Sequence, residues 1–511
     1  MPNISRIKKL EELKNGSFDA TIIGGGINGA VSAAVLSSHG LKVALIEMND
    51  FASGTSQESS NLVWGGIKYL ESYEFKLVWN LCKSRNQLIK QYPANIKEIR
   101  FLTSIQKNFR KSSFTIYLGS LLYWGMGRFF TKHPIKLSNN KIELIEPIIN
   151  TEITNGGLEY SDAYLIENDA RFTFQFIKTA WDNKTCGVNY TELKDSVYED
   201  GKWKLKIHDK IGEQFFDFES KVLINATGPF LDAINNVSDI KTDKKITLSK
   251  GIHLIVPQIT KARRVITFFS DDGRLFFIIP MGNKTCIGTT DTAVDDPDPS
   301  ITKEDIQFVL ENINKRLDLN KPIEESDVIS TRCGVRPLVI DASQETDDDW
   351  LQLSRKHVLE VNKEKKHISI FGGKLTDCIN IGEEIHHEVK QLGLNPNPYH
   401  ENWYGEPTQS SKHDFEEKAK QLTGLMKASN DELGTVADRI WRRYYNNADE
   451  ILNMIKEDET LLEDAFEATG LLKAEIEFMK NAEMVTCTED ILRRRSNIGL
   501  LYKLNQTILE I

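Results

Sequence analysis

The sequence lacks the cysteine patterns of disulfide-stapled and metal-binding proteins. Its 511 residues include only six cysteines, which are scattered along the chain and form no CxxC pair. None of them stands beside histidines at the spacing of a metal site, so we expect no bound metal. Isolated thiols of this kind are typical of reduced cytoplasmic proteins.

An excess of basic residues is also missing. The chain has 64 basic and 74 acidic residues and a net charge of −10, which argues against a dedicated nucleic-acid-binding protein. Its 40% hydrophobic and 27% charged residues argue against disorder. A chain of this length predicts two or three domains.

Long apolar segments are absent as well. Residues 1–15 are charged and contain no apolar signal segment. The most apolar stretch, Ser112 to Gly127, has sixteen uncharged residues, which are too few to span a bilayer comfortably. This stretch predicts a buried helix, and the alternative is a helix that lies in a membrane interface.

The sequence does contain a dinucleotide-binding pattern near its start. The mostly apolar run 18–23 is followed by a glycine-rich turn, an alanine-rich helical segment and a second apolar run that ends at Glu47. In the turn, Gly24 permits the sharp bend, Gly26 lets the backbone approach a pyrophosphate, and Gly29 lets the helix pack near the strand. A carboxylate at the position of Glu47 suits a ribose hydroxyl.

The loop after Glu47 is rich in small hydroxyl residues, among them Thr55, Ser56 and Ser60. Their hydroxyls and backbone amides suit further phosphate contact, and a plain solvated loop is the alternative. Gly65 and Gly66 then stand between apolar residues, which indicates a close approach of the backbone to a flat group.

The segment from Thr55 to Phe75 resembles the FAD-dependent glycerol-3-phosphate dehydrogenases of the aerobic type, within the D-amino-acid-oxidase-like flavoproteins. That family carries the pattern TSxxSSKLxHGGLRYLExYEF at this place. The present chain has Asn61 for the lysine, Trp64 for the histidine and Lys68 for the arginine. Lys68 keeps the positive charge but loses the two-pronged geometry of a guanidinium.

Further family motifs follow in the same order. They are a strand that closes on Ala226-Thr227-Gly228, KGxHxxV at 250–256, DGRxxFxIP at 272–280, IGTTD at 287–291, GVRPL at 334–338, GGKLT at 372–376 and DxLxRR at 490–495. Where the family continues with TTYR, this chain has Thr376 followed by Asp377, Cys378 and Ile379, so the arginine is lost. Asp162 and Arg171 lie in a segment similar to the family's DAxxxxxRL and predict a structural salt bridge.

The resemblance implies an α/β fold with three parts. These are a doubly wound, Rossmann-like FAD-binding domain, an antiparallel β-sheet substrate domain interleaved with it, and a C-terminal α-helical cap. The FAD-binding domain is expected at 18–100, 150–235 and 341–395, the substrate domain at 101–149 and 236–340, and the helical domain at 405–511.

The implied reaction is the oxidation of sn-glycerol 3-phosphate to dihydroxyacetone phosphate, with flavin N5 accepting the hydride. His253, neutral near pH 7, is the candidate for taking the hydroxyl proton. Arg336 and Lys68 hold the phosphate, and Lys374 and Thr289 orient the flavin and the reacting oxygen. The residues expected at the reacting end are His253, Arg336, Lys374, Lys68, Tyr69 and Thr289.

The resemblance also implies which residues bind FAD. They are Gly24, Gly26, Gly29, Glu47, Thr55, Ser56, Ser60, Gly65, Gly66, Ala226, Thr227, Gly228, Gly372, Gly373, Lys374, Leu375 and Thr376. The FAD is expected to be noncovalent, because Trp64 offers no nucleophilic atom for a tether at the family's histidine position.

The expected partners are a phosphorylated polyol and a quinone or oxygen as electron acceptor. A cytoplasmic protein with peripheral membrane contact through 112–127 and its basic flanks is compatible with these features, as is a homodimer. Two other functions stay open. One is a flavin oxidoreductase of the same scaffold that acts on an amine or hydroxy acid, and the other is an interaction protein that retains a decayed flavin fold.

Overall fold

The computed structural model describes residues 4–107, 109–270, 274–343, 356–397, 403–430 and 433–504. Asp272 and Gly273 of the DGRxxFxIP motif lie outside these ranges. The strands are β1 (Ser17–Ile23), β2 (Val43–Ile46), β3 (Leu62–Val63), β4 (Ile96–Gln106), β5 (Ile135–Leu137), β6 (Thr154–Leu165), β7 (Cys186–Val188), β8 (Thr191–Glu199), β9 (Lys202–Asp209), β10 (Gln214–Asn225), β11 (Lys244–Pro257), β12 (Val265–Phe269), β13 (Leu275–Met281), β14 (Lys284–Gly288), β15 (Thr292–Val294), β16 (Ser330–Asp341), β17 (Val358–Asn362) and β18 (His367–Phe371). The α-helices are α1 (Ile4–Lys14), α2 (Ile27–Ser38), α3 (Phe75–Gln91), α4 (Ser113–Met126), α5 (Asn139–Ile145), α6 (Asp169–Asp182), α7 (Leu231–Val237), α8 (Lys303–Arg316), α9 (Cys378–Gln391), α10 (Gln409–Ala419), α11 (Val436–Tyr444), α12 (Ala448–Glu457), α13 (Lys473–Ala482) and α14 (Ile498–Leu501).

The first sheet confirms the predicted Rossmann-like unit. Strands β1 and β2 run parallel, with Ile22 beside Leu45, and α2 connects them. The sheet has the order β17-β18-β10-β1-β2-β7, and the hairpin β8–β9 extends β10. Helices α2, α6 and α9 pack on one face, while α1 and the β8–β9 hairpin cover the other. Burial on both faces explains why these strands are almost continuously apolar in sequence.

The second sheet is the predicted, mainly antiparallel partner of the first. Its order is β15-β11-β14-β13-β12-β4-β6-β3, with β16 along β11 and β5 along β6. Strands β13 and β14 form the hairpin that the DGRxxFxIP and IGTTD motifs predict. The domain limits differ from the expected ones, because β3, the start of β4 and the whole of β6 belong to this sheet. The sequence placed 18–100 and 150–235 in the first domain.

The C-terminal part is helical, as predicted, and is tied to the first domain by buried ion pairs. A π-helix, Asp490–Arg495, carries the DxLxRR segment. Arg494 Nε and Arg495 Nη1 each donate to Asp50 Oδ2 at 2.8 Å. Asp50 directly precedes the hydroxyl-rich loop, so the helical part braces the chain where that loop begins.

Two local predictions are wrong. Helix α4 buries only Ser120 and Tyr123, whereas Phe114, Leu118 and Leu122 are 48–57% exposed along one face. The stretch 112–127 is therefore an exposed apolar helix and not a buried one. Within the described ranges, no helix has both the length and the apolar character needed to cross a bilayer.

The second error concerns Asp162 and Arg171. Both form structural salt bridges, but not with each other. Asp162 Oδ1 accepts from Arg85 Nη1 at 3.0 Å, and Arg171 Nη1 donates to Glu483 Oε2 at 2.6 Å. The first pair joins α3 to β6, and the second joins α6 to the C-terminal helices.

Candidate active site

The carboxyl ends of β1, β2, β10 and β18 open onto a cavity of about 650 Å³, which β11, β16 and the residues after β14 close on the opposite side. Ligand pockets usually have volumes of roughly 300–1,000 Å³, and in parallel sheets they lie at this edge. The predicted residues that line it are Gly24, Gly26, Glu47, Thr55, Ser56, Ser60, Tyr69, Ala226, Thr227, Gly228, His253, Thr289, Arg336, Gly372, Gly373, Lys374, Leu375 and Thr376.

One end of the cavity is a glycine cradle at the start of α2. Gly24 has a φ of 103°, which a glycine adopts without strain. A Cβ at Gly29 would lie 1.8 Å from Gly24 O, so Gly29 serves the packing of helix on strand and does not line the cavity. At Gly26 a Cβ would lie 3.2 Å from Ser56 Oγ, a tight contact, with no other side chain or backbone atom of a distant described segment within 4 Å, so the bare glycine leaves space above the turn. This open turn at a helix N-terminus fits a pyrophosphate.

Glu47 stands beside the cradle in a fixed orientation. Its Oε2 accepts from Gly25 N at 2.6 Å and its Oε1 from Asn49 N at 2.8 Å. Burial raises the pKa of this carboxyl group. Each carboxylate oxygen can accept two hydrogen bonds, so the group still has capacity for a ribose hydroxyl.

Residues of the hydroxyl-rich loop lie at both ends of the cavity. Ser56 Oγ accepts from Ile27 N at 2.9 Å, at the cradle. Thr55 Oγ1 donates to Val335 O at 2.6 Å, which ties the loop to β16. Ser60, predicted as a cofactor residue, lies instead with its Oγ 3.0 Å from His253 Nε2.

The GGKLT segment borders the middle of the cavity. Asn28 Nδ2 donates to Gly372 O at 2.9 Å, which joins α2 to the end of β18. Lys374 Nζ lies 3.7 Å from the centre of the Tyr69 ring. Both side chains line the cavity, so a cation and an aromatic face stand together there.

His253 lies at the other end of the cavity, on β11 between Gly288 and Arg332 of the neighbouring strands. It is 2% exposed. Burial, and then the charges of Arg332 and Arg336, lower the pKa of its imidazole to about 3. The ring is therefore neutral in the free protein at physiological pH.

Arg336 lies in the same wall with its guanidinium held in place. Its Nη2 donates to Thr289 Oγ1 at 2.9 Å, and its Nη1 lies 3.3 Å from Asp291 Oδ1. A Cβ at Gly251 would lie 2.1 Å from Nη2, so only a glycine leaves room for the guanidinium at this position. A fixed cation beside a neutral imidazole suits an anionic substrate whose proton must be removed.

The comparisons with known proteins agree with this arrangement. A family model described as FAD dependent oxidoreductase matches residues 19–352. The aerobic glycerol-3-phosphate dehydrogenase of Bacillus subtilis (strain 168) is 33% identical over 392 residues, which cover 75% of this chain and 68% of the relative. That of Staphylococcus aureus (strain USA300) is 30% identical over 518 residues, which cover 97% and 89%. The chain belongs to the aerobic glycerol-3-phosphate dehydrogenase family of FAD-dependent oxidoreductases.

Solved structures support the same fold. A glycerol-3-phosphate dehydrogenase from Bacillus halodurans complexed with FAD matches 98% of this chain and 89% of its own, with a TM-score of 0.74 and 27% identity. A glycine oxidase from Geobacillus kaustophilus covers 73% of this chain and 95% of its own, with a TM-score of 0.55 and 15% identity. The second likeness shows the fold alone.

Besides Gly29, three further residues that the sequence predicts for the active site do not line the cavity. They are Lys68, Gly65 and Gly66. Lys68 lies in the 3-10 helix Ile67–Leu70, from which only Tyr69 reaches the cavity, so its position does not support a phosphate contact. Gly65 N donates to Asp162 Oδ1 at 3.1 Å, and Gly66, with a φ of 79°, precedes that helix. Both glycines serve the local turn.

Sequence reasoning missed Arg332, which is completely buried beside His253. Its Nη1 donates to Ser59 O and to Asn61 Oδ1, the latter at 3.1 Å, and its guanidinium pairs with Asp169 at 3.5 Å. Arg332 thus holds the chain on both sides of Ser60. Its position four residues before Arg336 on an alternating strand was the available signal, since both side chains share a face.

Asp377, one of the residues that depart from the family pattern, also makes a defined contact. Asp377 Oδ2 lies 2.6 Å from His357 Nδ1, and Glu384 Oε2 lies 3.0 Å from its Nε2. Burial opposes the charge on this imidazole, but the two carboxylates raise its pKa to about 9. The chain thus keeps a cationic group near the start of α9, although the arginine of the family pattern is lost.

Proposed function

We propose that this enzyme oxidises sn-glycerol 3-phosphate to dihydroxyacetone phosphate. The observation that carries the proposal is the placement of Arg336 and His253 in one wall of the FAD cavity. A fixed guanidinium and a neutral imidazole are what a phosphorylated secondary alcohol requires for binding and for loss of its hydroxyl proton. The relatives named as aerobic glycerol-3-phosphate dehydrogenases support the same substrate.

Arg336 holds the phosphate in this proposal. Its bond to Thr289 fixes the orientation of the guanidinium before substrate arrives, so little conformational freedom is lost on binding. Lys374, which lines the cavity beside Tyr69, orients the reacting oxygen. Lys68 has no part in this arrangement because it does not line the cavity.

His253 accepts the hydroxyl proton at Nε2, the atom that lies 3.0 Å from Ser60 Oγ. A pKa of about 3 makes the imidazole a weak base in the free protein. Part of that shift comes from Arg332 and Arg336, and a bound phosphate dianion offsets these charges. Substrate binding therefore strengthens the base that the substrate needs.

FAD fits the remainder of the cavity and supplies the hydride acceptor when bound. The turn at Gly26 and the start of α2 would hold its pyrophosphate, and Glu47 would hold its ribose. Gly373 would lie beside its flavin ring. Trp64 lines the cavity without a nucleophilic atom, so the FAD is noncovalent. Acid precipitation should release all yellow colour into the supernatant, and colour retained in the pellet would contradict this.

We further infer a cytoplasmic protein that touches the membrane peripherally and passes its electrons to a quinone. Quinones dissolve in lipid, so their reductase needs a surface that meets the bilayer. The exposed apolar side chains of α4 supply such a surface. Oxygen is the alternative acceptor, and it requires no membrane contact.

A substrate panel with a water-soluble electron acceptor tests the proposed function. We expect the purified yellow protein to show its highest kcat/KM with sn-glycerol 3-phosphate and little turnover of free glycerol, which offers Arg336 no anion. Glycine, proline and a 2-hydroxy acid test the rival flavoenzyme function. Preference for one of these would overturn the assignment, and a colourless protein without turnover would favour a decayed scaffold.

A further inference from the structure

The C-terminal helical part meets the FAD-binding side of the molecule through three consecutive arginines. Arg493, Arg494 and Arg495 end the π-helix that carries the DxLxRR segment. Such helices are rare and occur frequently at functional sites. Arg494 and Arg495 pair with Asp50, at the start of the hydroxyl-rich loop. Arg493 reaches further along the same loop, to Glu58.

The contact of Arg493 involves a residue of the cavity wall itself. Its Nη2 donates to Glu58 Oε1 at 2.7 Å, and Glu58 lines the cavity. The two side chains are 16% and 11% exposed, so solvent screens this ion pair only weakly. Within the loop, Glu58 stands between Ser56, which lies at the cradle, and Ser60, which contacts His253. The ion pair therefore connects the C-terminal part to the middle of the loop.

The second oxygen of Glu58 ties the loop to the strand that carries Arg336. Glu58 Oε2 accepts from Cys333 N at 3.0 Å, and both Cys333 and Arg336 belong to β16. The single Glu58 carboxylate thus joins the C-terminal part, the hydroxyl-rich loop and β16. Loss of the arginine would leave this carboxylate held from one side only.

The start of α6 fixes how the π-helix approaches the loop. Asn168, the N-cap residue, donates from Nδ2 to Arg493 O at 2.9 Å and to Ser496 O at 2.7 Å. Asp169, the next residue, accepts from Ser59 N at 2.7 Å. Adjacent residues of α6 therefore hold the backbone on both sides of the ion pair, so its geometry is set in advance.

Both partners of the ion pair stand at positions that the family patterns leave unspecified. Glu58 occupies the second x of TSxxSS, and Arg493 occupies the second x of DxLxRR. A neighbouring contact involves the first x of TSxxSS, since Arg494 Nη1 donates to Gln57 Oε1 at 3.3 Å. The family patterns therefore do not specify how the C-terminal part meets the loop, and this chain has its own contact there.

The charge of Glu58 gives the ion pair a second role. FAD carries an anionic pyrophosphate, which a carboxylate in the same cavity repels. Burial raises the pKa of the Glu58 carboxyl group, and the charges of Arg493 and Arg332 oppose this shift. Arg493 therefore favours the ionised carboxylate and at the same time compensates its negative charge.

We propose that Arg493 is a positioning residue for FAD, which acts through Glu58 and makes retention of the cofactor depend on docking of the C-terminal helical part. Linkage is reciprocal, so bound FAD should hold the C-terminal part more firmly in turn. Couplings of this kind change affinities by roughly 5- to 150-fold. The proposal concerns the cofactor, so it goes beyond the proposed oxidation of sn-glycerol 3-phosphate and does not depend on it.

Release of FAD from the yellow protein, followed by flavin fluorescence after dilution, tests the proposal. Arg493→Gln should release FAD about 10-fold faster, because it leaves a largely buried carboxylate without its cation beside the cofactor. Arg493→Lys keeps the charge and should regain most of the retention. An Arg493→Gln variant that retains FAD as the wild type does would overturn the proposal.

A double variant separates the action through Glu58 from general damage. Arg493→Gln, Glu58→Gln removes both charges and should release FAD more slowly than Arg493→Gln alone, because no uncompensated carboxylate remains in the cavity. Equal rates in the double variant and in Arg493→Gln would show that Arg493 does not act through Glu58, which would also overturn the proposal.

Arg439→Gln is the matched control, because it breaks a buried ion pair that lies wholly within the C-terminal part. Arg439 Nη2 lies 2.6 Å from Glu475 Oε2. This variant should lower the midpoint of thermal unfolding and leave the rate of FAD release unchanged. Equal acceleration of release in Arg439→Gln and Arg493→Gln would attribute the effect to loosened helices and contradict a specific role of Arg493.

Hydrogen–deuterium exchange tests the reciprocal effect. FAD should slow exchange of the backbone amides of residues 490–496 in the wild type, and this slowing should be about 10-fold smaller in Arg493→Gln. Equal protection by FAD in the two proteins would contradict the coupling. Neither measurement involves turnover, so a wrong substrate leaves the expected FAD release unchanged, whereas a wrong coupling leaves turnover of sn-glycerol 3-phosphate as proposed.

Discussion

At the Gly24 end of the FAD cavity the lining is a glycine-rich turn, whereas at the Arg336 end it consists of side chains from several distant segments. The first end is formed by Gly24, Gly26, Ile27 and Asn28 of a single turn, followed by Glu47. The second end combines Ser60, His253 and Arg336, with Thr289 and Lys374 beside them. A backbone cradle tolerates only glycine at a few points. A side-chain cluster can change its members while it keeps its charge.

The departures from the family pattern all lie outside the glycine cradle. The glycine turn and Glu47 agree with the pattern, while Asn61, Trp64, Lys68 and Asp377 depart from it. Asn61 still contributes, because its Oδ1 accepts from the buried Arg332. We therefore expect the cradle to hold the cofactor and the side-chain end to set the substrate preference of this chain.

The largest effect should come from filling the cradle. Gly26→Val places a branched side chain in the space that the pyrophosphate needs, while its backbone φ of −72° suits any residue. The variant should fold with a thermal transition close to that of the wild type in the FAD-free state, since a Cβ at Gly26 would crowd only Ser56 Oγ, yet it should purify without yellow colour. Gly29→Val is the matched comparison, since its Cβ would meet Gly24 O at 1.8 Å and should destabilise the fold itself. Normal FAD content in Gly26→Val would contradict the proposed role of the cradle in binding the pyrophosphate.

Arg336→Lys should weaken substrate binding at the side-chain end of the cavity without changing cofactor binding at the cradle. A lysine offers a point charge where the guanidinium offers a fixed fork, so kcat/KM for sn-glycerol 3-phosphate should fall roughly 10- to 100-fold, or about 1.4–2.8 kcal/mol. FAD content should not change. The control is Lys68→Gln, which removes a cation outside the cavity and should leave kcat/KM nearly unaltered. Equal losses in the two variants would show that Arg336 has no special role.

His253→Gln should change how stability depends on pH. The pKa of His253 is about 3 in the fold against a usual 6.5, so the unfolded chain binds more protons between these values. Stability is therefore lost as the pH falls below about 6.5, and His253 accounts for about 2 kcal/mol of that loss between pH 7 and pH 5. Urea unfolding at the two pH values should show a loss smaller by this amount in the variant. Equal losses would mean that His253 is protonated in the fold.

Ser60→Ala should have the smallest effect, and it acts through His253. Loss of one hydrogen bond at Nε2 should lower kcat roughly 3- to 10-fold. The pH profile of kcat should also move, which a purely structural role for Ser60 would not cause. Ser60→Thr retains the hydroxyl and should restore both. An unchanged pH profile in Ser60→Ala would assign Ser60 to the cofactor, as the sequence predicts.

The cradle could be predicted from sequence because its parts are local. Gly24, Gly26 and Glu47 lie within one strand–helix–strand unit, whose geometry follows from glycine spacing and apolar runs. The Arg336 end could not be predicted in the same way. The contact of Ser60 with His253 depends on the pairing of β11 with β16, on which Arg332 holds the neighbours of Ser60. No local sequence pattern predicts such a long-range strand register.

Helix α4 shows a second reason why the sequence did not predict the whole structure. An apolar helix with no charged residue normally lies in a core, which is why the sequence favoured burial. Here the buried Tyr123 anchors the helix through its bond to Asp162, and Phe114, Leu118 and Leu122 face outward. Composition cannot distinguish a side chain that meets a core from one that meets another partner.

Anaerobic titration of the FAD-loaded protein is the most direct test of the central claim, since it needs no electron acceptor. We expect sn-glycerol 3-phosphate to bleach the bound flavin completely near one equivalent, and Arg336→Lys to need a much higher concentration. Free glycerol and glycine should leave the colour unchanged. Bleaching by glycine or a hydroxy acid, with none by sn-glycerol 3-phosphate, would contradict the assignment of this cavity to a phosphorylated polyol.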